Sequence, residues 1–155
     1  MTGPEHAQSP PEKQTRAISR EEADRLIADA VLHLPSRRAA KRLLNLYEQS
    51  GPPVAVFLTF EGVDPGAENF EEQFHGNYFG SFTRDEVIQT GIEIAELDVA
   101  LERFLDDQGL PENALDWDYD AIWPFIRDRH LLVEEGEYFH VFDAGLVWPE
   151  KEADR

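Results

Sequence analysis

The chain has 155 residues, with 14 Lys/Arg against 32 Asp/Glu, a formal net charge of −18, 41% hydrophobic residues and no cysteine. That length holds one ordinary domain or two very small ones. Ten Phe, three Trp and four Tyr argue for a folded core under an acidic coat, because a disordered chain would lack large apolar groups.

Without cysteine there is no disulfide framework, thiolate metal site or cysteine nucleophile. No run of about 18 apolar residues is present, so nothing is expected to span a membrane. The polar start MTGPEHAQSPPEKQTR is not expected to act as a secretory signal. A cytoplasmic protein is the plain expectation. The charge is uneven: residues 1–50 carry eight Lys/Arg and seven Asp/Glu, whereas residues 51–155 carry six and twenty-five. Such a surface repels phosphates, which excludes nucleic acid as its direct partner, and attracts a basic protein groove.

Residues 1–18 read as a disordered tail. Ser19 with Glu22 forms a capping-box pattern that opens a helix to about His33, with Ala23, Leu26, Ile27, Ala30 and Val31 on one face. Pro35 ends it, Ser36 caps a second helix, RRAAKRLLNLYEQS, and Gly51 closes that one. Residues 19–51 are thus expected to be a helical N-terminal segment. Its Arg37, Arg38, Lys41 and Arg42 form either a solvated face or a basic contact for an acidic patch on the same or another subunit.

Residues 52–143 read as an acidic α+β region with short antiparallel strands and several helices. VAVFLTF, residues 54–60, is β-branched and aromatic and predicts a buried strand. In NFEEQFHGNYFGSF the glycines at 76 and 80 predict a turn leading into a short strand. Thr83 and Glu86 form a second capping box, opening one long helix to about Asp107 that Gly109 and Pro111 end. Val87, Ile88, Gly91, Ile94, Ala95, Val99, Leu101, Phe104 and Leu105 are its expected buried side, widened by Ile92 and Leu97. Glu86, Glu93, Glu96 and Asp107 take the opposite side, with Asp85, Glu102 and Asp106 nearby. Carboxylates three to seven residues apart on a helix lie about 5–10 Å apart along its axis, a range that includes adjacent nucleic-acid phosphates. In EYFHVF, His140 lies among aromatics, the setting of a packed or edge-strand residue, and residues 144–155 read as a flexible tail.

LDWDYDAIW places Asp116, Asp118 and Asp120 at alternate positions. They match the first three ligands of an EF-hand loop, which then needs glycine sixth and glutamate twelfth; here Ala121 and Arg127 stand there. No metal site is expected. His75, His130 and His140 have no metal-ligand spacing, Ser81 is not in a G-x-S-x-G elbow, and no glycine-rich phosphate loop occurs, so no enzyme, catalytic residue or cofactor is expected. One aspartate can cap the helix of DAIWPFIRDRH, whose start Pro124 restricts. Trp117, Tyr119, Trp123 and Phe125 are expected to pack inward and turn the remaining carboxylates outward.

FEEQFHGNYFGSFTRDEV, through Phe74, Tyr78, Gly80, Phe82, Asp85 and Glu86, resembles the aromatic–Gly–x–aromatic strand and acidic helix start of the ArdA antirestriction family. LPENALDWDYDAIWPFIRD is similar to that family's Leu-Pro, spacer and aromatic–Asp–aromatic–acidic helix, through Leu110, Pro111, Trp117, Asp118, Tyr119 and Asp120. EGEYFHVF resembles its last strand through Gly136, Tyr138, Phe139 and Phe142. The resemblance spans roughly residues 67–142. It implies a homodimeric DNA mimic, carried by mobile genetic elements, that occupies the DNA-binding groove of Type I restriction–modification enzymes.

The expected partner surface comprises Asp85, Glu86, Glu93, Glu96, Glu102, Asp106, Asp107, Asp116, Asp118 and Asp120. The alternatives are an acidic adaptor that binds a basic protein without imitating DNA and, more distantly, a hydrolase using Asp116–Asp120 with a histidine.

Overall fold

A computed structural model of the chain describes residues 15–149. Each helix that the sequence marks with a cap begins at that cap. Ser19 Oγ accepts the Glu22 amide at 3.1 Å and starts α1, Arg20–Leu32. Ser36 Oγ accepts the Ala39 amide at 3.1 Å and starts α2, Arg37–Ser50. Each such bond satisfies an amide with no partner in the helix and contributes about 1 kcal/mol. Gly51, at φ 78°, turns the chain out of α2.

The segment expected to be a strand at 54–60 is instead α3, Pro52–Phe57, followed by turns. Pro52 and Pro53 occupy the first turn, where a missing amide costs little. All six residues of α3 are buried. A short run that is apolar on every side has no periodicity to separate a buried helix from a buried strand. Phe57 is ringed by Phe60, Phe70 and Phe74 at centroid distances of 6.3, 5.6 and 5.6 Å. The expected turn at Gly76 lies inside α4, Phe70–Asn77, whose buried Phe70 and Phe74 sit four residues apart on one face.

The remaining elements are β1 (Arg16–Ala17), β2 (Tyr78–Thr83), α5 (Arg84–Ile94), α6 (Leu97–Gln108), α7 (Tyr119–Arg127), β3 (Leu131–Glu135) and β4 (Tyr138–Phe142). The sheet order is β1-β3-β4-β2, with β1 parallel to β3 and the other neighbours antiparallel. Gly136, at φ 60°, is the first of two residues joining β3 to β4, the position where a tight hairpin turn needs glycine.

The fold is α+β, and both faces of the sheet are covered. Leu131, Val133 and Phe142 join the core formed with α1–α4, while Leu132 and Phe139 join a second core with Val87, Ile88 and Ile92 of α5 and Ile126 of α7. Strand alternation sends successive side chains to opposite faces, so the buried run Leu131–Leu132–Val133 serves both cores. α5 lies close to α7 at Gly91, where a Cβ would meet Ile126 Cγ2 at 2.7 Å.

Two expected boundaries shift. Residues 15–18 of the expected tail are docked: Arg16 and Ala17 pair with Val133 and Glu134, and Ile18 is buried. Residues 1–14 lie outside the described residues. Beyond β4 the chain is held as well, with the Trp148 ring 4.5 Å from Phe60, the Arg16 guanidinium 4.0 Å above Trp148, and the Glu61 amide donating to the Val147 carbonyl at 2.9 Å. Residues 150–155 lie outside the described residues. The helices expected within 19–51 form there, and their Ala23, Ile27, Leu43 and Leu46 share one core with Val54, Phe74 and Leu131.

The long acidic helix is broken. α5 ends at Ile94, Glu96 takes a left-handed conformation (φ 59°, ψ 28°), and α6 starts at Leu97. Val87, Ile88, Gly91, Ile92 and Leu105 are buried, and Leu97 and Leu101 half-buried, whereas Ile94, Ala95, Val99 and Phe104 are exposed. The break turns α6 away from the axis of α5, so the apolar stripe of a continuous helix does not meet one core.

A candidate partner-binding acidic surface

The surface is built on α5, α6, α7 and the loop before α7. At the start of α5 the capping box is complete: Thr83 Oγ1 accepts the Glu86 amide at 3.2 Å and Glu86 Oε1 accepts the Thr83 amide at 2.9 Å. Glu86 is therefore tied to the helix end. Arg84 reaches from the same turn to Asp120 on α7, with Nη2–Oδ1 at 2.7 Å, and lies 3.9 Å from Asp85.

The three alternating aspartates have separate tasks. Asp116 Oδ1 accepts the Trp117 amide at 2.8 Å, Asp118 Oδ1 caps α7 through the Ala121 amide at 3.2 Å, and Asp120 pairs with Arg84. Among the described residues no cluster of three or more Asp, Glu or His is arranged to hold a metal ion. Pro124 is the sixth residue of α7 and not in its first turn. The Asp118 cap sets the start, and Asp120 and Pro124 are both exposed, so the bond that proline cannot make falls on the water side. Trp117, Tyr119 and Trp123 are half-buried, with Trp123 5.2 Å from Phe139. Phe125 does not pack inward; it is exposed, with the Arg129 guanidinium 3.6 Å over its ring.

All ten expected surface carboxylates are exposed. The break at Glu96 prevents one straight acidic face: Glu86 and Glu93 lie on α5, while Glu102, Asp106 and Asp107 lie on α6. Two carboxylates absent from the expected set belong with them. Asp98 and Glu112 join Glu102 and Asp116 around a cleft of about 390 Å³ whose apolar lining is Leu101, Leu105, Leu115 and Trp117. Asp98 is four residues before Glu102, a spacing that puts both on one helix face and was readable from the sequence. Glu112 sits in a loop, where no periodicity marks it.

The basic cluster on α2 divides. Arg42 is half-buried and donates to the Ala67 and Gly66 carbonyls at 3.2 and 3.5 Å, whereas Arg37, Arg38 and Lys41 are exposed. Among the described residues none of these four forms a salt bridge with a carboxylate.

One polar chain lies in the interior. The Tyr78 hydroxyl meets His140 Nδ1 at 2.9 Å, and His140 Nε2 meets Glu135 Oε1 at 2.7 Å. With the imidazole donating to the carboxylate and accepting from the phenol, both ring nitrogens of the buried His140 and the Tyr78 hydroxyl are satisfied. Burial, aided by the Glu135 charge, pushes the Tyr78 pKa up to about 12. The Tyr78 ring stacks on Phe74 at 5.1 Å and lies 5.2 Å from Phe142, a packing role for the His140 that sequence reading placed among aromatics.

Among the described residues no helix is long and apolar enough to cross a membrane. Compared with known proteins, the chain matches no family model, no curated protein and no solved structure.

Proposed function

We propose that the protein is a non-enzymatic, cytoplasmic DNA mimic of the antirestriction type, presenting carboxylates in place of phosphates to a basic DNA-binding groove, with a Type I restriction–modification enzyme as the target class. One observation carries this reading. Residues 84–127 contain twelve Asp/Glu against three Arg, and all twelve carboxylates are exposed. A surface so one-sided repels itself and is stabilised by a partner of opposite charge. The resemblance to the ArdA family over residues 67–142 supplies the target class and the expectation of a homodimer.

The test is equilibrium competition between the protein and duplex DNA for a Type I methyltransferase core, at low and high salt. Glu93, Glu96, Glu102 and Asp106 are neutralised together to Gln or Asn. Exposed ion pairs contribute about 0.2–1 kcal/mol each, so the quadruple variant should bind roughly tenfold more weakly, or worse, while any single change costs little. Adding Asp116→Asn and Asp118→Asn should deepen the loss; asparagine keeps the α7 cap, which separates charge from folding. Unchanged affinity in the quadruple variant sinks the mimic reading. Simultaneous binding of protein and DNA moves the assignment to an acidic adaptor.

A further inference from the structure

The acidic surface surrounds apolar side chains that a DNA duplex does not display. A second cleft, of about 390 Å³, is lined by Leu97, Trp117, Asp118, Ala121, Ile122 and Phe125. It exists because the left-handed turn at Glu96 sets Leu97 at the head of α6, opposite the 118–121–122–125 stripe of α7. Of its lining, Phe125 is exposed and Leu97, Trp117 and Ile122 are half-buried, an apolar patch of the kind that marks interaction sites.

Asp118 lines this cleft, and Trp117 is shared with the neighbouring cleft around which Asp98, Glu102, Glu112 and Asp116 gather, all five carboxylates being exposed. Phe125 is covered on one side by Arg129; none of the five carboxylates forms a salt bridge among the described residues.

We infer that this cleft receives an apolar side chain, flanked by Lys or Arg, from a basic protein partner. Charge complementarity selects that occupant. A second copy meeting this face with its own same face would set the same carboxylates against one another, and an apolar molecule without charge would leave them unused. The inference deepens the proposed function and rests on its claim that the acidic surface meets a basic protein. It adds an apolar anchor next to a cluster of carboxylates, and a few such buried side chains carry most of an interface's affinity.

The test titrates the full-length chain with two synthetic peptides of equal length and charge, one carrying a single Phe between Lys/Arg residues and the other Ser at that position. The Phe peptide should bind about tenfold more tightly, the scale of partly burying one aromatic side chain. This ratio should persist from low to high salt, because apolar burial is not screened, while both affinities fall. Ala121→Leu, at an exposed position, fills the cleft and should bring the ratio close to one without changing the Ser peptide's affinity; Phe125→Ala, which removes one wall, should lower it independently. A ratio near one in the native chain, or one that survives both substitutions, overturns the inference. So does a dimer in sedimentation that Ala121→Leu dissociates, which would assign the cleft to a second copy. The mimic reading fails on a different result, the indifference of DNA competition to the quadruple carboxylate variant, and the Phe-to-Ser ratio is read separately from it.

Discussion

Tyr78, His140 and Glu135 show what a buried polar group requires. The β3–β4 hairpin sets Glu135 against His140 at 2.7 Å, and the pairing of β2 with β4 brings in the distant Tyr78 at 2.9 Å. The phenol's raised pKa has a consequence for stability. Below its ordinary value of 10 both folded and unfolded chains hold the proton, and the contribution is complete. Between 10 and about 12 the unfolded chain ionises first, so stability falls with rising pH through that window. Tyr78→Phe should flatten this part of the alkaline limb, measured by denaturant unfolding from pH 9 to 12. At neutral pH the same change should cost about 1–3 kcal/mol, because His140 loses its hydroxyl partner. An alkaline limb of the same steepness in both proteins would contradict the account.

The break between α5 and α6 is the element that shapes the surface. Glu96 is the one non-glycine residue with positive φ among the described residues, and a side chain in that conformation costs about 1–2 kcal/mol. The helix-ending glycines at 51 and 109 avoid that cost, each with positive φ. Glu96→Gly should therefore stabilise the fold by about 1 kcal/mol, a rise in melting temperature of roughly 2–4 °C. A lower melting temperature would mean that the Glu96 side chain contributes more than its backbone strain removes. The break also separates the two roles of the region. α5 packs Val87, Ile88 and Ile92 against the sheet, while α6 buries only Leu105 and leaves its carboxylates and much of its apolar side to solvent.

At the scale of the whole molecule, the two cores hold together a chain whose net charge of −18 works against compaction. Raising ionic strength from about 0.01 to about 0.15 M shortens the screening length from about 30 to about 8 Å. The melting temperature should rise over that range, because repulsion among the many carboxylates outweighs the few exposed ion pairs. The quadruple variant should be more stable than the native chain at low salt and converge with it at high salt. A melting temperature that falls with salt would show instead that pairs such as Arg84–Asp120 dominate. Binding and stability are thus expected to move in opposite directions when the same carboxylates are neutralised, the signature of a surface retained for a partner.

What the sequence determined by itself is local. Ser19, Ser36 and the Thr83–Glu86 pair start their helices, and Gly51 and Gly109 end theirs, because a cap involves only neighbours in the chain. The exposure of all ten expected carboxylates was legible for a similar reason: an ionised group loses its hydration unless it stays in water or finds a partner. Long-range packing decided the rest. Residues 52–57 are a helix because proline suits its first turn and the surrounding core accepts an apolar cylinder, which the residue types alone do not specify. Arg16 and Ala17 form a strand only because β3 lies beside them, more than a hundred residues away. The helix breaks at Glu96 although its neighbours read as one continuous period. The clefts beside Trp117 bring α6 together with the segment from Glu112 to Phe125, and no spacing within either segment encodes where they meet.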